Sequence, residues 1–284
     1  MALGKLQQPI ALDAMGGDHA PVSVLYGAEQ ALIRHPGLKF LLFGNSDVIA
    51  PVLRTLPRLA RASEIIHTEQ AIASDDKPSQ AVRRGRQSSM WLAIEAVEQG
   101  RACAVVSAGN TGALMAMSKL ILRTLPGVSR PAIAALFPTL RGECVMLDLG
   151  ANVESSAQDL YKFAIMGDAF ARAVLGLNRP RISLLNIGAE ELKGRDEIKE
   201  AAALLKASPL NLNFCGFVEG NDITVGAADV IVSDGFTGNI ALKTAEGVAR
   251  LIRTYLKDAF MSSPIAKVAG FLAMGAMKSV KDKL

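Results

Sequence analysis

The 284 residues carry a formal net charge of +4, half of them are apolar, and only 5% are aromatic. A chain of this length can bury a large core without being split into two domains. Apolar content drawn from Ala, Leu, Ile and Val suits helices packed on both faces of a parallel sheet and argues against a β-sandwich. The sequence pI near 9.0 favours anionic partners. Lys and Arg are nevertheless scattered, without the interleaved aromatics of a base-stacking surface, so no nucleic-acid partner is expected.

In chain order, an apolar strand over 10–12 runs into the loop DAMGGDHAP, and a helix starts near Pro21, with Val24, Ala28, Ala31 and Leu32 at helical spacing. A strand over 40–43 ends at Gly44-Asn45. Pro78 and Ser79 open one long helix through Ala81, Met90, Ile94 and Val97, closed by Gly100. The alternation continues as strand 102–106, helix 112–123, strand 144–148, helix 157–175, strand 182–187, helix 196–207, strands 213–218 and 229–232, and helix 238–258. Residues 240–284 read as helical throughout, broken by Pro264. This order predicts a parallel α/β architecture in a single domain, 1–284, with 240–284 as a helical contact region within it. No repeat or interdomain linker is visible.

Cys103, Cys144 and Cys215 are odd in number and widely spaced, and the first two lie inside apolar runs. They read as buried free thiols in a reducing compartment, not as a disulfide framework or a zinc site. The N-terminus lacks a secretory pattern, and no apolar run of about eighteen residues occurs, so a cytoplasmic location is expected.

Five short apolar runs end in loops of Gly, Asn, Asp, Ser or Thr: DAMGGDHAP, SAGNTGA, DLGANV, NIGAEELKG and SDGFTGN. In one open parallel sheet the carboxyl ends of the strands share an edge, so these loops are expected to converge on one crevice. SAGNTGA (107–113) and DGFTGN (234–239) each sit where a strand meets a helix. Backbone N–H groups, hydroxyls and the helix N-terminus there suit phosphate or carboxylate, although each loop also reads as an ordinary capped turn. Asp13, Asp18 and Asp148 stand at strand ends, either to bind a cation or position a group, or to hold turns. His19 next to Asp18 is either half of an acid–base pair or a structural hydrogen bonder. Arg83, Arg84 and Arg86 are either a solvated basic face or an attraction for an acidic protein partner. Lys193 is either a surface ion pair with the preceding carboxylates or a site residue, and Asn239 is either a helix cap or an oxyanion donor.

Several chemistries lack their motifs. The loop after the first strand reads AMGGDHA where a dinucleotide fingerprint would read G-x-G-x-x-G, and there is no G-x-x-x-x-G-K-[ST], H-E-x-x-H or G-x-S-x-G. Only His19, His35 and His67 are available for a hydrolase triad.

Taken together, ALDAMGGDHAP, AVRRGRQSSM, SAGNTGALM, LDLGANV, NIGAEELKG and SDGFTGN, in this order, closely resemble the bacterial acyl-carrier-protein:phosphate acyltransferases of phospholipid synthesis. The resemblance spans residues 9 to about 260. It implies transfer of a long fatty acyl group from acyl carrier protein to inorganic phosphate, giving an acyl phosphate that a downstream glycerol-3-phosphate acyltransferase consumes. It implies a three-layer α/β/α fold with a mostly parallel sheet, similar to the isopropylmalate and isocitrate dehydrogenases and phosphate acetyltransferases, in a homodimer without cofactor or metal. Carried onto this sequence, it gives Lys193 and Asn239 as catalytic. It gives Asp13, Gly16, Gly17, His19, Ser88, Ser107, Gly109, Asn110, Thr111, Gly112, Asp148, Asn152, Asp234, Thr237 and Gly238 as phosphate- or substrate-binding.

The chain departs from the pattern at Gly85 and Gln87, which bear on partner docking, and it ends at Leu284 where the family continues through a Gly-rich segment and another strand. Phosphate is already anionic near neutral pH, so the chemistry asks for positioning and for stabilisation of the thioester oxygen rather than for a strong base. A decarboxylating hydroxyacid dehydrogenase and a non-catalytic membrane-recruiting scaffold are the rival readings. The stretch 260–277 is too short to span a bilayer, since about fourteen residues from Pro264 make roughly 21 Å of helix. It is either a dimer contact or a helical tip lying peripherally at the inner face of the cell membrane, followed by Lys278, Lys281 and Lys283.

Overall fold

A computed structural model describes residues 8–281, which divide between Gly127 and Val128 into two compact units. In the first unit, β1 (Ile10–Asp13), α1 (Val22–Arg34), β2 (Phe40–Gly44), α2 (Ser46–Leu53), α3 (Pro57–Ala62), β3 (Ser63–His67), α4 (Pro78–Arg84), α5 (Ser89–Glu98), β4 (Ala104–Ser107) and α6 (Thr111–Ile121) follow one another. The strands form a parallel sheet in the order β3-β2-β1-β4. Successive side chains of a strand point to opposite faces, and both faces here are apolar. Leu12, Phe40 and Leu42 pack with Leu25, Leu32, Ile49 and Leu59 of α1–α3, while Ala11, Leu41 and Phe43 pack with Ala93 and Ala96 of α5. That is why these strands read as continuous apolar runs rather than alternating ones.

The second unit holds β5 (Ala134–Thr139), β6 (Gly142–Leu147), α7 (Ala157–Leu175), β7 (Ile182–Leu185), α8 (Asp196–Lys206), β8 (Phe214–Val218), α9 (Gly220–Val225), β9 (Val230–Val232), α10 (Gly235–Met261) and α11 (Pro264–Lys281). Its sheet order is β5-β6-β9-β7-β8, parallel except for the antiparallel β5-β6 pair. Val145, Leu147, Ile182, Leu184, Val230 and Val232 meet α7 and α8 on one face. Cys144, Met146, Leu185 and Ile231 meet Ile223 of α9 and Ala241, Leu242 and Ala245 of α10 on the other. Each unit is therefore a sheet between two helical layers. Arg181, just before β7, grips Asp229, just before β9, through two guanidinium hydrogen bonds of 3.1 and 2.7 Å. Those bonds raise the Arg181 pKa, so the clamp stays charged.

Several expectations change. The five polar loops do not share one sheet edge: β1 and β4 pair in the first sheet, whereas β6, β7 and β9 pair in the second. The long helix expected from Pro78 is two helices. The Gly85 N–H closes α4 on the Ala81 carbonyl, and the Ser88 hydroxyl restarts α5 by accepting the Trp91 N–H at 3.2 Å. The antiparallel strand β5 was not foreseen, since its Pro138 weakens the strand pattern; the strand lies at the sheet edge, where proline is tolerated. Of the cysteines only Cys144 is buried, its pKa pushed up to about 12 mainly by desolvation, while Cys103 and Cys215 are exposed. The C-terminal helices form as expected, with α10 ending at Met261 and α11 opening at Pro264, and residues 282–284 lie outside the described residues.

Helix α7 shows how closely helix and sheet approach. Its N-terminus carries a capping box from Ser156 and Asp159, and it stops at Gly176, whose φ of 69° is left-handed. Midway, a Cβ on Gly167 would lie 2.4 Å from Val230 Cγ1 and 3.0 Å from Leu147 Cδ2. Gly167→Ala gains about 1 kcal/mol of helix propensity but overpacks this contact at a cost of about 1–3 kcal/mol. The expected outcome is a lower thermal midpoint; an increase would show that the helix backs away freely.

Candidate active site

In the first unit the chemistry gathers where β1 and β4 end. Asp13 is almost fully buried, and its carboxylate accepts hydrogen bonds from Ser89 Oγ at 2.6 Å, Ser107 Oγ at 2.7 Å and the Met15 N–H at 3.3 Å. Ser107 Oγ in turn accepts the Gly109 N–H at 3.1 Å. Gly16 lies against this network so closely that a Cβ would sit 2.6 Å from Asp13 Oδ2 and 2.8 Å from the Gly109 nitrogen. Gly17 packs on Ala108 in the same way, a Cβ there standing 3.0 Å from the Ala108 carbonyl oxygen. Asp13 is thus the organiser of two loops, with both oxygens already engaged.

Asn110 caps α6 by accepting the Ala113 N–H at 2.9 Å, and its amide nitrogen donates to the carbonyls of Ser74 and Asp76. Gly112 lets Pro78 come near, a Cβ there being 2.8 Å from Pro78 Cγ. Thr111 is exposed at the first helical position. Among the described residues, the N–H groups of Thr111 and Gly112 have no hydrogen-bond acceptor. A helix start with a neutral cap and two open N–H groups has the chemistry to accept an anion. Ser88, expected as a substrate contact, is fully buried and spends its hydroxyl on the Gly85 carbonyl and the α5 cap. Its neighbour Ser89, which sequence reasoning passed over, is the residue that reaches Asp13. His19 is exposed, and no side-chain partner holds it among the described residues.

In the second unit Asp148 directly follows β6 and is fully buried. One oxygen accepts the N–H groups of Ile133, Gly150 and Ala151, and the other accepts the N–H and the side-chain amide of Asn152, at 2.8 to 3.2 Å. Asn152 also donates to the Pro131 carbonyl, and its own carbonyl accepts the Gly235 N–H. The first turn of α10 presses onto this loop. A Cβ on Gly235 would stand 2.4 Å from the Asn152 carbonyl oxygen, and one on Gly238 would stand 2.0 Å from that of Asp148. Asp13, Asp148 and Asp234 thus hold turns and helix starts; Asp18 is exposed. A metal-dependent dehydrogenase would need its carboxylates free.

Asp234 caps α10 through the Thr237 N–H at 2.8 Å, accepts the Thr237 hydroxyl at 2.9 Å, and pairs with Arg195, the residue before α8. Sequence reasoning missed Arg195; its position directly after Lys193-Gly194 in the same polar loop was the available signal. The α10 start therefore already holds an anion and its counter-ion, unlike the α6 start. Leu160, Leu184, Ile187, Ile198 and Val232 wall a cavity of about 310 Å³ whose polar lining includes Asn186, Arg195, Asp234 and Thr237. Lys193 is exposed and pairs with Glu190 at 2.9 Å; that hydrogen bond raises the lysine's pKa and lowers the glutamate's. Asn239 does not cap α10. Its exposed amide lies beside Gly150 with no hydrogen-bond partner among the described residues.

The fold and the loops define an α/β protein whose polar loops join strand ends to helix starts. A family model described as "Fatty acid synthesis protein" matches residues 9–284, and the chain belongs to that family. Relatives named phosphate acyltransferase include those of Paramagnetospirillum magneticum, at 54% identity over 96% of this chain and 78% of theirs, and Rhodospirillum centenum, at 58% over 96% and 77%. Among solved structures, the fold is similar to that of the EutD phosphotransacetylase from Staphylococcus aureus, at a TM-score of 0.63 and 19% identity over 87% of this chain and 84% of that one. A branched-chain phosphotransacylase from Enterococcus faecalis V583 gives a TM-score of 0.53 at 16% identity, covering 83% of each chain.

Asp148 supplies a direct test of the turn-holding role. In Asp148→Asn an N–H₂ replaces one oxygen and faces at least two N–H donors, which lose their acceptor. Each unsatisfied buried donor costs about 1–3 kcal/mol, so urea unfolding should show a loss of at least about 2 kcal/mol. An unchanged midpoint would show that the loop does not depend on this carboxylate.

Proposed function

We propose that this chain is an acyltransferase that moves a long-chain fatty acyl group from the thioester of acyl carrier protein to inorganic phosphate. A phosphate oxygen bonds to the carbonyl carbon, the carbon–sulfur bond breaks, and the sulfur leaves as thiolate to be protonated, giving acyl phosphate and free carrier. The observation that carries this reading is the α6 start, where a neutral Asn110 cap leaves the N–H groups of Thr111 and Gly112 open. Family membership and relatives named phosphate acyltransferase support it. Phosphate binds to SAGNTGA, with Ser107, Gly109, Asn110, Thr111 and Gly112 as its surround. In the second unit the DGFTGN loop, whose helix start is already occupied by Asp234 and Arg195, is proposed to bind substrate through Thr237 and Gly238.

Lys193 and Asn239 are the proposed donors to the developing oxyanion. The Lys193–Glu190 pair is solvent-exposed and screened, so turning the ammonium toward substrate costs little. Asn239 has its exposed amide unengaged among the described residues. Incubating acyl carrier protein thioester with phosphate should yield acyl phosphate, and its absence would overturn the function. Lys193→Ala and Asn239→Ala should each lower turnover about a hundredfold, the cost of one lost oxyanion donor. Folded variants with near-normal turnover would remove these assignments.

The same proposal takes 1–284 as one α/β domain akin to the isopropylmalate and isocitrate dehydrogenases, cytoplasmic and homodimeric. Its acyl phosphate is passed to a glycerol-3-phosphate acyltransferase. No helix among the described residues is long and apolar enough to cross a membrane. Ile265, Val268, Phe271 and Leu272 on α11 are exposed, which supports 240–284 as the contact region for a second copy or the inner face of the membrane. Replacing Phe271 and Leu272 by Glu should abolish sedimentation with anionic vesicles and leave acyl transfer intact. Unchanged sedimentation would favour the dimer contact.

A further inference from the structure

Between Lys77 and Ile94 the chain contains four cations, Lys77, Arg83, Arg84 and Arg86, and no acidic residue. All four are exposed. None takes part in an ion pair among the described residues, where every such pair lies in the second unit. Lys77, Gln80 and Arg84 fall at i, i+3 and i+7, the spacing of one helical stripe, and the seven residues of α4 extend roughly 10 Å. The Arg86 guanidinium lies over the Trp91 ring, 5.8 Å from its centroid, which holds it at the C-terminal end of the patch.

This patch is attached to the α6 start. Asn110, which caps α6, donates its amide to the carbonyls of Ser74 at 3.1 Å and Asp76 at 2.8 Å, in the segment leading into α4. Pro78, the first residue of α4, rests on Gly112 in the first turn of α6. A partner seated on α4 therefore sits beside the loop at which phosphate is proposed to bind.

We infer that the exposed basic patch around α4, formed by Lys77 just before the helix, Arg83 and Arg84 in its last turn and Arg86 just after it, is the docking surface for an acidic face of the protein that carries the acyl thioester. The inference rests on the proposed function. Four exposed cations spread over and beyond a two-turn helix are too dispersed to enclose one free phosphate, but they match a row of carboxylates on a protein surface, where complementarity speeds encounter and fixes orientation. Nucleic acid is disfavoured because Trp91, the sole aromatic in the stretch, is buried. A lipid surface is disfavoured because Ala81 and Ile72 are buried and Val82 is half-buried, so the cations have no exposed large apolar side chain beside them to insert.

The test is Arg83→Glu/Arg84→Glu in the full chain, with Lys77→Glu as an independent variant. Each is assayed with one acyl group presented either on acyl carrier protein or on pantetheine, a neutral thioester without the protein. The double variant should raise KM for the carrier-borne thioester about tenfold or more, an effect that salt reproduces in the unaltered chain. Turnover of the pantetheine thioester and KM for phosphate should stay unchanged. Equal losses with both thioesters, or no loss with either, would overturn the docking surface. So would loss of anionic-vesicle binding with carrier kinetics intact. If the unaltered chain acylates phosphate from neither thioester, the proposed function fails, and direct binding of acyl carrier protein then decides the surface. Weaker binding by both variants supports it, and unchanged binding overturns it.

Discussion

A carboxylate taken wholly out of water must be met by donors on every side, and Asp148 meets this condition by drawing five N–H groups to itself. Much of the loop geometry at that end of the second unit follows from that demand. The donors come from the segment before β5 and from the loop after β6, so satisfying one side chain fixes the path of both. Asn152, held by the same carboxylate, passes the constraint on by accepting the Gly235 N–H, which sets where α10 begins. The glycines at 235 and 238 are the steric counterpart, because only a residue without Cβ lets the first turn of α10 lie on the Asp148 loop. Asp13 applies the same logic in the first unit, with serine hydroxyls as the main donors.

The two helix starts that look alike in sequence are electrostatically different. Both follow a strand and both are rich in Gly and Thr. At α10 the cap is a carboxylate, so the positive end of the helix already faces an anion, and Arg195 balances the charge. The Gly235 N–H is also spent, on Asn152. At α6 the cap is a neutral amide whose remaining hydrogen bonds run back into the protein, leaving the helix's partial charge uncompensated. An incoming anion gains more at such a terminus than at one where it would compete with a resident carboxylate.

Strand positions were legible because sheets covered on both faces demand uninterrupted apolar runs, and β1, β2, β6, β7 and β9 have them. Partitioning into two sheets was not legible, since strand pairing depends on which runs exchange hydrogen bonds and all the runs look alike. The break at Gly85–Ser88 was written in the sequence as Gly followed by a Ser cap, but the apolar periodicity on either side masked it. For the site, loops could be read while the assignment of individual atoms could not. Ser88 and Ser89 are chemically identical neighbours, and only the direction in which α5 leaves its cap decides that one closes the helix and the other reaches Asp13. Arg195 escaped notice because its partner lies 39 residues away, on another strand's tail.

Rigidity and availability are divided among these residues in a consistent way. The buried polar groups Asp13, Ser88, Ser89 and Asp148 have their hydrogen bonds satisfied within the protein, so they hold geometry and have little left with which to meet a ligand. Among the described residues, groups with unspent capacity include the Thr111 and Gly112 N–H groups and the exposed Lys193, Asn239 and Arg195. Lys193 and Arg195 flank Gly194, whose close packing on Asn186 anchors the backbone between two exposed cations. Asn186 reinforces this anchor by donating to the carbonyls of Gly188 and Lys193. Such a division suits a reaction in which charge moves onto a carbonyl oxygen and away again. The frame must stay fixed through that movement, while the groups that answer the charge need only a short reach and a pair weak enough to leave.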